Sequence, residues 1–132
     1  MVTDPIGDLL VRIKNGGNVR KTEVIVPYSR VKEAVLKVIL EAGYITGYNL
    51  EENGLRKSLV VRLKYDAVSK HVIKGVKRLS SPGCHLYVSR TGMMKYLRSR
   101  NKLGIISTSR GVISHRQAMR ENLGGEFMAL LW

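Results

Sequence analysis

Ile6, Leu9, Leu10 and Ile13 recur at the three- and four-residue spacing of one helix face. Asp4-Pro5 marks the start of that helix, a capping carboxylate followed by proline at the first helical position. Gly16-Gly17 is the expected end, which puts Arg12 and Lys14 in the last turn, where the helix dipole favours cations. Val24-Ile25-Val26 is a short β-rich run closed by Pro27. Ser29 then caps a second helix, with Val31, Ala34, Val35, Val38 and Ala42 on its inner side and Gly43 as a left-handed C-terminal cap. Residues 44–50 and 58–63 read as two strands of a hairpin that turns at Asn53-Gly54. The first half is therefore α-β-α-β-β, a small sheet with two helices packed on it.

Apolar patterning lapses over residues 65–70, the expected boundary between units 1–66 and 67–132. Residues 72–79 read as a strand with Lys74, Lys77 and Arg78 on or near one face, and Ser80-Ser81-Pro82-Gly83 is a turn by composition. Residues 85–89 read as another short strand, and 92–98 as a short helix carrying Met93, Met94 and Leu97. Ile105-Ile106 is a buried strand that runs into Ser107-Thr108-Ser109-Arg110-Gly111. Ser114 and Gln117 have the spacing of a capping box for a last helix ending near Asn122. Gly124-Gly125-Glu126 then feeds an apolar strand over 127–132. The second unit is mostly β with two short helices. The fold class is α/β of the α+β type, in two small units without an internal repeat.

Composition adds a partner to this picture. The 132 residues carry a formal net charge of +13, well above the magnitude of about 2–8 that solubility asks of a small domain. Residues 1–66 hold 11 basic and eight acidic residues, a net of +3, whereas 67–132 hold 12 basic residues and only Glu121 and Glu126, a net of +10. Such one-sided accumulation favours a polyanion, met mainly by the second half. The chain has no apolar run near the roughly 18–20 residues of a membrane span, and its first twenty residues carry Asp4, Asp8, Arg12 and Lys14. Neither a spanning helix nor a signal peptide is expected, and no long basic amphipathic helix suggests a membrane surface. Cys84, the single cysteine, fits a reducing compartment and reads as a turn or core residue.

Catalytic chemistry finds no footing. Ser107 and Ser109 could pair with His115, yet no acid is placed by sequence to orient that histidine. Metal-dependent nuclease chemistry needs clustered carboxylates, which the second half lacks. His71, Cys84, His85 and His115 lack zinc-ligand spacing, and no phosphate-binding glycine loop occurs, so no metal or cofactor is expected. The stretch Ser107-Thr108-Ser109 is different: three hydroxyls at a turn in a basic unit can meet phosphate, ribose or base edges. The bland alternative is that they only cap the turn. Glu126 should weaken phosphate binding unless it orders that loop through backbone N–H groups or accepts from a base or ribose. Lys77 and Arg78 are candidate phosphate contacts, and Tyr87 is the candidate stacking residue. Two other readings remain, a basic architectural DNA-binding protein and a nucleic-acid-processing enzyme.

As an ordered set, several motifs closely resemble the bacterial-type family of protein eight of the small ribosomal subunit. They are Thr3-Asp4-Pro5-Ile6-Gly7-Asp8-Leu9-Leu10, Pro27-Tyr28-Ser29-Arg30 with Lys32, Lys77-Arg78-Leu79-Ser80 with Pro82-Gly83, Ile105 to Val112, and Gly124-Gly125-Glu126 before the closing strand. The resemblance covers nearly the whole chain. It implies a non-enzymatic structural protein that binds a helical element in the central domain of small-subunit ribosomal RNA and helps assemble the platform. It also implies small-subunit proteins five and twelve as neighbours and repression of the protein's own messenger RNA. The site would be a ribosome in a bacterial cytoplasm, or in an organelle with ribosomes of that type. Carried over by motif, Ser107, Thr108, Ser109 and Glu126 form the main RNA contact, and Thr3, Asp4, Ser29, Arg30 and Lys32 a second one. Two departures stand out. His115 and Gln117 replace residues that are usually or often acidic, which predicts a weaker last helix, and Arg100-Asn101-Lys102 makes the approach to Ile105 more basic.

Overall fold

A computed structural model gives the fold and describes residues 4–97 and 101–132. Helix α1 spans Pro5–Asn18 and buries Ile6, Leu9, Leu10 and Ile13, as the pattern requires. It does not stop at the glycine pair. Gly16 and Gly17 are buried inside the helix, because Val24 and Leu63 press on the first and the His71 ring on the second. Arg12 and Lys14 therefore lie mid-helix, and no basic residue occupies the last turn. Asp4 makes no capping hydrogen bond either.

Strand β1 (Glu23–Pro27) leads to helix α2 (Arg30–Glu41), whose first turn is closed by Ser29 Oγ accepting from Lys32 N. The buried face of α2 is Val35, Leu36, Val38 and Ile39; Val31 and Ala42 are exposed, so the inner face is rotated from the expected one. Gly43 takes the left-handed conformation that ends the helix, with φ +84°. Strands β2 (Ile45–Asn53) and β3 (Arg56–Leu63) form the expected hairpin, and β1 joins the other edge of β3 in an antiparallel sheet ordered β1-β3-β2.

The second sheet has the order β4-β8-β6-β7, with β5 also on β8. Strand β4 is only Val76–Arg78, shorter than the pattern suggests. Upstream of it, Ile73 is buried, Gly75 and Trp132 exchange both backbone bonds in continuation of the ladder, and Lys74 N also donates to the Trp132 carbonyl. Strand β5 is Tyr87–Val88, and α3 is Arg90–Met93, started early by Ser89 Oγ accepting from Gly92 N. The end of the expected helix, Arg98, lies outside the described residues, as does Arg100. Strand β6 (Leu103–Thr108) turns into β7 (Gly111–Ser114), an element the pattern did not announce; α4 (His115–Arg120) and β8 (Gly125–Leu131) follow.

This sheet is covered on both faces. One face joins Leu103, Ile105, Met128, Ala129 and Leu131 to the core residues of α1, α2 and the first sheet. The other packs Ile106, Ile113, Phe127 and Leu130 on Met93 and Ala118, with Tyr96 edge-on to Phe127 at 5.3 Å. A strand buried on both sides reads as an unbroken apolar run, which is what residues 127–131 are. The β6–β8 register shifts by one, Ile105 opposing Ala129 and Ile106 opposing Phe127, so Met128 is the extra residue of a bulge.

Candidate functional site

Strands β6 and β7 meet at a two-residue loop, Ser109-Arg110, between the paired Thr108 and Gly111. Gly111 has φ +105°, which only glycine adopts without strain. The Thr108 hydroxyl is committed to this turn: it donates to the Gly111 carbonyl at 2.9 Å and accepts from Arg110 N at 3.1 Å. Ser109 is exposed and Ser107 half-buried, and neither hydroxyl bonds another described residue. One of the three hydroxyls therefore shapes the loop and two stay available.

The register then builds a row. Ser107 lies opposite Glu126 across β6 and β8, and Glu126 lies opposite Tyr87 across β8 and β5. Directly opposed residues share a face of the sheet, so hydroxyl, carboxylate and phenol stand side by side. Val112, opposite Ser107 on the other flank, packs on the first core, which fixes the row to that face beyond the core's edge. Gly125 allows the strands to approach, since a Cβ there would collide with the Ser107 carbonyl.

Among the described residues, no backbone N–H of the loop donates to the Glu126 side chain. His85 Nδ1–H donates to its Oε2 at 2.9 Å. The imidazole also lies 6.2 Å, centroid to centroid, from the Tyr87 ring, and Tyr87 is 71% exposed. His85 was weighed by sequence only as a metal ligand. Its signal was the two-residue spacing from Tyr87, which along an extended segment puts both side chains on one side.

Cations are scarce in this row. Arg110 is tied to Glu121 at 2.7 Å. Arg78 is also engaged: Nε donates to Asp4 Oδ2 at 3.1 Å and Nη1 to the Met128 carbonyl at 2.6 Å, so the pair staples the start of α1 to β8. Lys77, its neighbour, is exposed. At the start of α2, Ser29 serves as the cap, and Lys32 is buried with Nζ donating to the Pro27 carbonyl at 3.1 Å. Arg30 is exposed beside them. Thr3 lies outside the described residues.

His115 does not approach the serines as a base. It is buried, and its Nδ1 accepts from Gly104 N at 2.9 Å. Burial, helped by Arg116, pushes its pKa below the usual histidine value. The neutral ring supplies an acceptor where an acid was expected. Among the described residues no cluster of His, Cys, Asp or Glu could hold a metal, and no helix is long and apolar enough to cross a membrane.

Fold and site together define a basic α+β protein with a polar row at one end of its second sheet. Residues 4–132 match the family described as Ribosomal protein S8. The chain is 42% identical to the small ribosomal subunit protein uS8 of Mycoplasma mobile over 132 residues, covering 100% of this chain and 98% of the other. It is 40% identical to that of Clostridioides difficile over 133 residues (99% and 98%) and 37% identical to that of Saccharopolyspora erythraea over 131 residues (99% and 98%). The chain belongs to the ribosomal protein S8 family. It is a structural component of the bacterial-type small ribosomal subunit, a cytoplasmic particle, and not an enzyme.

Proposed function

We propose that this protein binds small-subunit ribosomal RNA directly, through the row Ser107, Glu126, Tyr87 and the adjoining Ser109. The observation that carries the reading is the cross-strand register that aligns these groups at one sheet edge with two hydroxyls unspent. A-form RNA presents ribose hydroxyls and base edges in its shallow groove and hides its deep one. Serine hydroxyls can donate to and accept from those groups, and exposed Tyr87 offers a stacking face. Glu126 is acceptor-only, so its match is an amino, imino or ribose hydroxyl donor. His85 holds the carboxylate in the row. Lys77 and Arg30 supply phosphate contacts, while Asp4, Ser29, Lys32 and Arg78 act mainly by holding the frame. We extend the reading to the central domain of that RNA, to assembly of the platform beside proteins five and twelve, and to repression of the protein's own messenger through a similar RNA element.

Two substitutions separate specific recognition from bulk charge. If Glu126 were a stray acid, Glu126→Gln would tighten binding to every RNA. We expect the reverse for a transcribed central-domain fragment at fixed salt: a loss of about tenfold or more, the value of a charge-assisted hydrogen bond at about 1.5–3 kcal/mol. Ser107→Ala should also weaken that complex, yet leave unrelated RNA and duplex DNA unaffected. Tighter binding of Glu126→Gln to the fragment, or equal affinity of the wild type for duplex DNA, would overturn the assignment.

A further inference from the structure

Four cations without a carboxylate partner among the described residues lie together elsewhere. Two adjoining clefts, of about 420 and about 520 Å³, share Ala42, Tyr44, Asn101 and Lys102, and so form one groove. It runs where the end of α2, the start of β6, α4 and the chain end at Trp132 meet. Leu103 and Ser107 mark opposite ends of β6, so groove and polar row are separated by about 13 Å of strand at about 3.3 Å per residue.

Lys74, Lys102, Arg116 and Arg120 line the groove, with Glu41 the one carboxylate among its lining residues. None of the four cations lies within ion-pair distance of a described carboxylate. Arg116 and Arg120 stand four residues apart in the six-residue α4, a like-charge spacing that works against the helix. Lys102 has only the Trp132 ring, its ammonium 5.4 Å from the centroid. A multivalent anion would relieve this repulsion. Lysine is depleted in protein–protein interfaces, whereas nucleic-acid interfaces are strongly positive and built on lysine and arginine contacts to phosphate. The mixture of two lysines and two arginines fits the latter.

We propose that this groove is a second nucleic-acid site, which seats the phosphodiester backbone of an RNA segment other than the one held by the polar row. The row reads shape and donors; the groove reads charge. Its contacts are sequence-independent and salt-sensitive.

Trp132 is the only tryptophan, so its emission reports on the groove. The test titrates the full chain with oligouridylate, following tryptophan emission and, in parallel, anisotropy of the labelled probe. A saturable emission change is expected. With three phosphate contacts, each adding about 0.7 to the salt slope, affinity should fall about 20-fold between about 50 and about 200 mM salt. The double substitution Lys102→Gln with Arg116→Gln should weaken binding about 25-fold at about 0.1 M salt, with the thermal midpoint measured alongside. Glu126→Gln and Ser107→Ala should leave this signal unchanged, which keeps failure of the groove distinct from failure of the row. The proposal is overturned if emission stays constant while anisotropy reports binding, or if the probe does not bind. It is equally overturned if oligoglutamate of matched charge changes the emission as strongly, since the groove would then fit an acidic protein segment.

Discussion

His115 is buried with its Nδ1 on the Gly104 amide, and both burial and Arg116 disfavour its protonated form. His71, half-buried against α1, is shifted downward by desolvation as well. For both, the unfolded chain binds protons more readily than the folded one. Their contribution to stability is therefore complete above about pH 6.5 and declines as pH falls through the lowered folded values. The thermal midpoint should drop between pH 7 and pH 5. His115→Ala strands a buried amide and should cost about 1–3 kcal/mol at pH 7, but less at pH 5, where the wild type has lost part of its advantage. An equal cost at both pH values in denaturant titrations would show that His115 is not held neutral. Lys77 and Arg78, adjacent in sequence and alike in charge, part company in the same way. Lys77→Ala should lower the RNA salt slope by about 0.7–0.9 with stability unchanged. Arg78→Ala breaks bonds to Asp4 and the Met128 carbonyl, so it should cost about 1–3 kcal/mol and leave the slope alone. Sequence could not tell them apart, because both are basic residues on one short strand.

Elements were legible where a local signal decides them. The Ser29 cap and the Gly43 terminus stand as the pattern predicts, and the hairpin forms with its turn one residue later than expected, at Gly54-Leu55 between the paired Asn53 and Arg56. The rest was decided by partners distant in sequence. Gly16-Gly17 is a stop signal locally, yet α1 continues through it because Val24 and the His71 ring need a surface without side chains. Alanine at position 17 should gain about 1 kcal/mol of helix propensity. The collision with His71 reverses the sign, and Gly17→Ala should destabilise by about 1–3 kcal/mol net in equilibrium unfolding. A stabilised variant would mean that the ring yields freely. Strand β7 has four residues and no alternation to announce it, and β4 is short because its pairing with β8 ends at Gly75 and Trp132. The hydroxyls and Glu126 were legible as candidates from their chemistry; His85 was not, since its contact with Glu126 exists only once β5 and β8 are paired.

Across the whole molecule, the charge that first suggested a polyanionic partner is not gathered on the polar row. Arg110 and Arg78 pair with Glu121 and Asp4, whereas four cations without a described carboxylate partner line the groove at the other end of β6. Composition set the sign of the partner, and only the fold distributes that charge between a place that discriminates and a place that attracts. Affinity and selectivity should consequently respond to different substitutions, as the separate salt and Glu126 experiments require.

The extra residue at Met128 gives β8 a parity. Between Ala129 and Leu131 the odd positions face the first core, but beyond the bulge the even position, Glu126, takes that side and Phe127 turns to the second core. Were the bulge pulled straight with every residue kept, simple alternation would bring Phe127 round to the first-core side and carry the carboxylate away from Ser107 and Tyr87. The chain could keep every hydrophobic residue it has and still lose the row, because the row depends on a count. The one residue left out of the ladder is thus as much a part of the row as the identity of the side chains that form it.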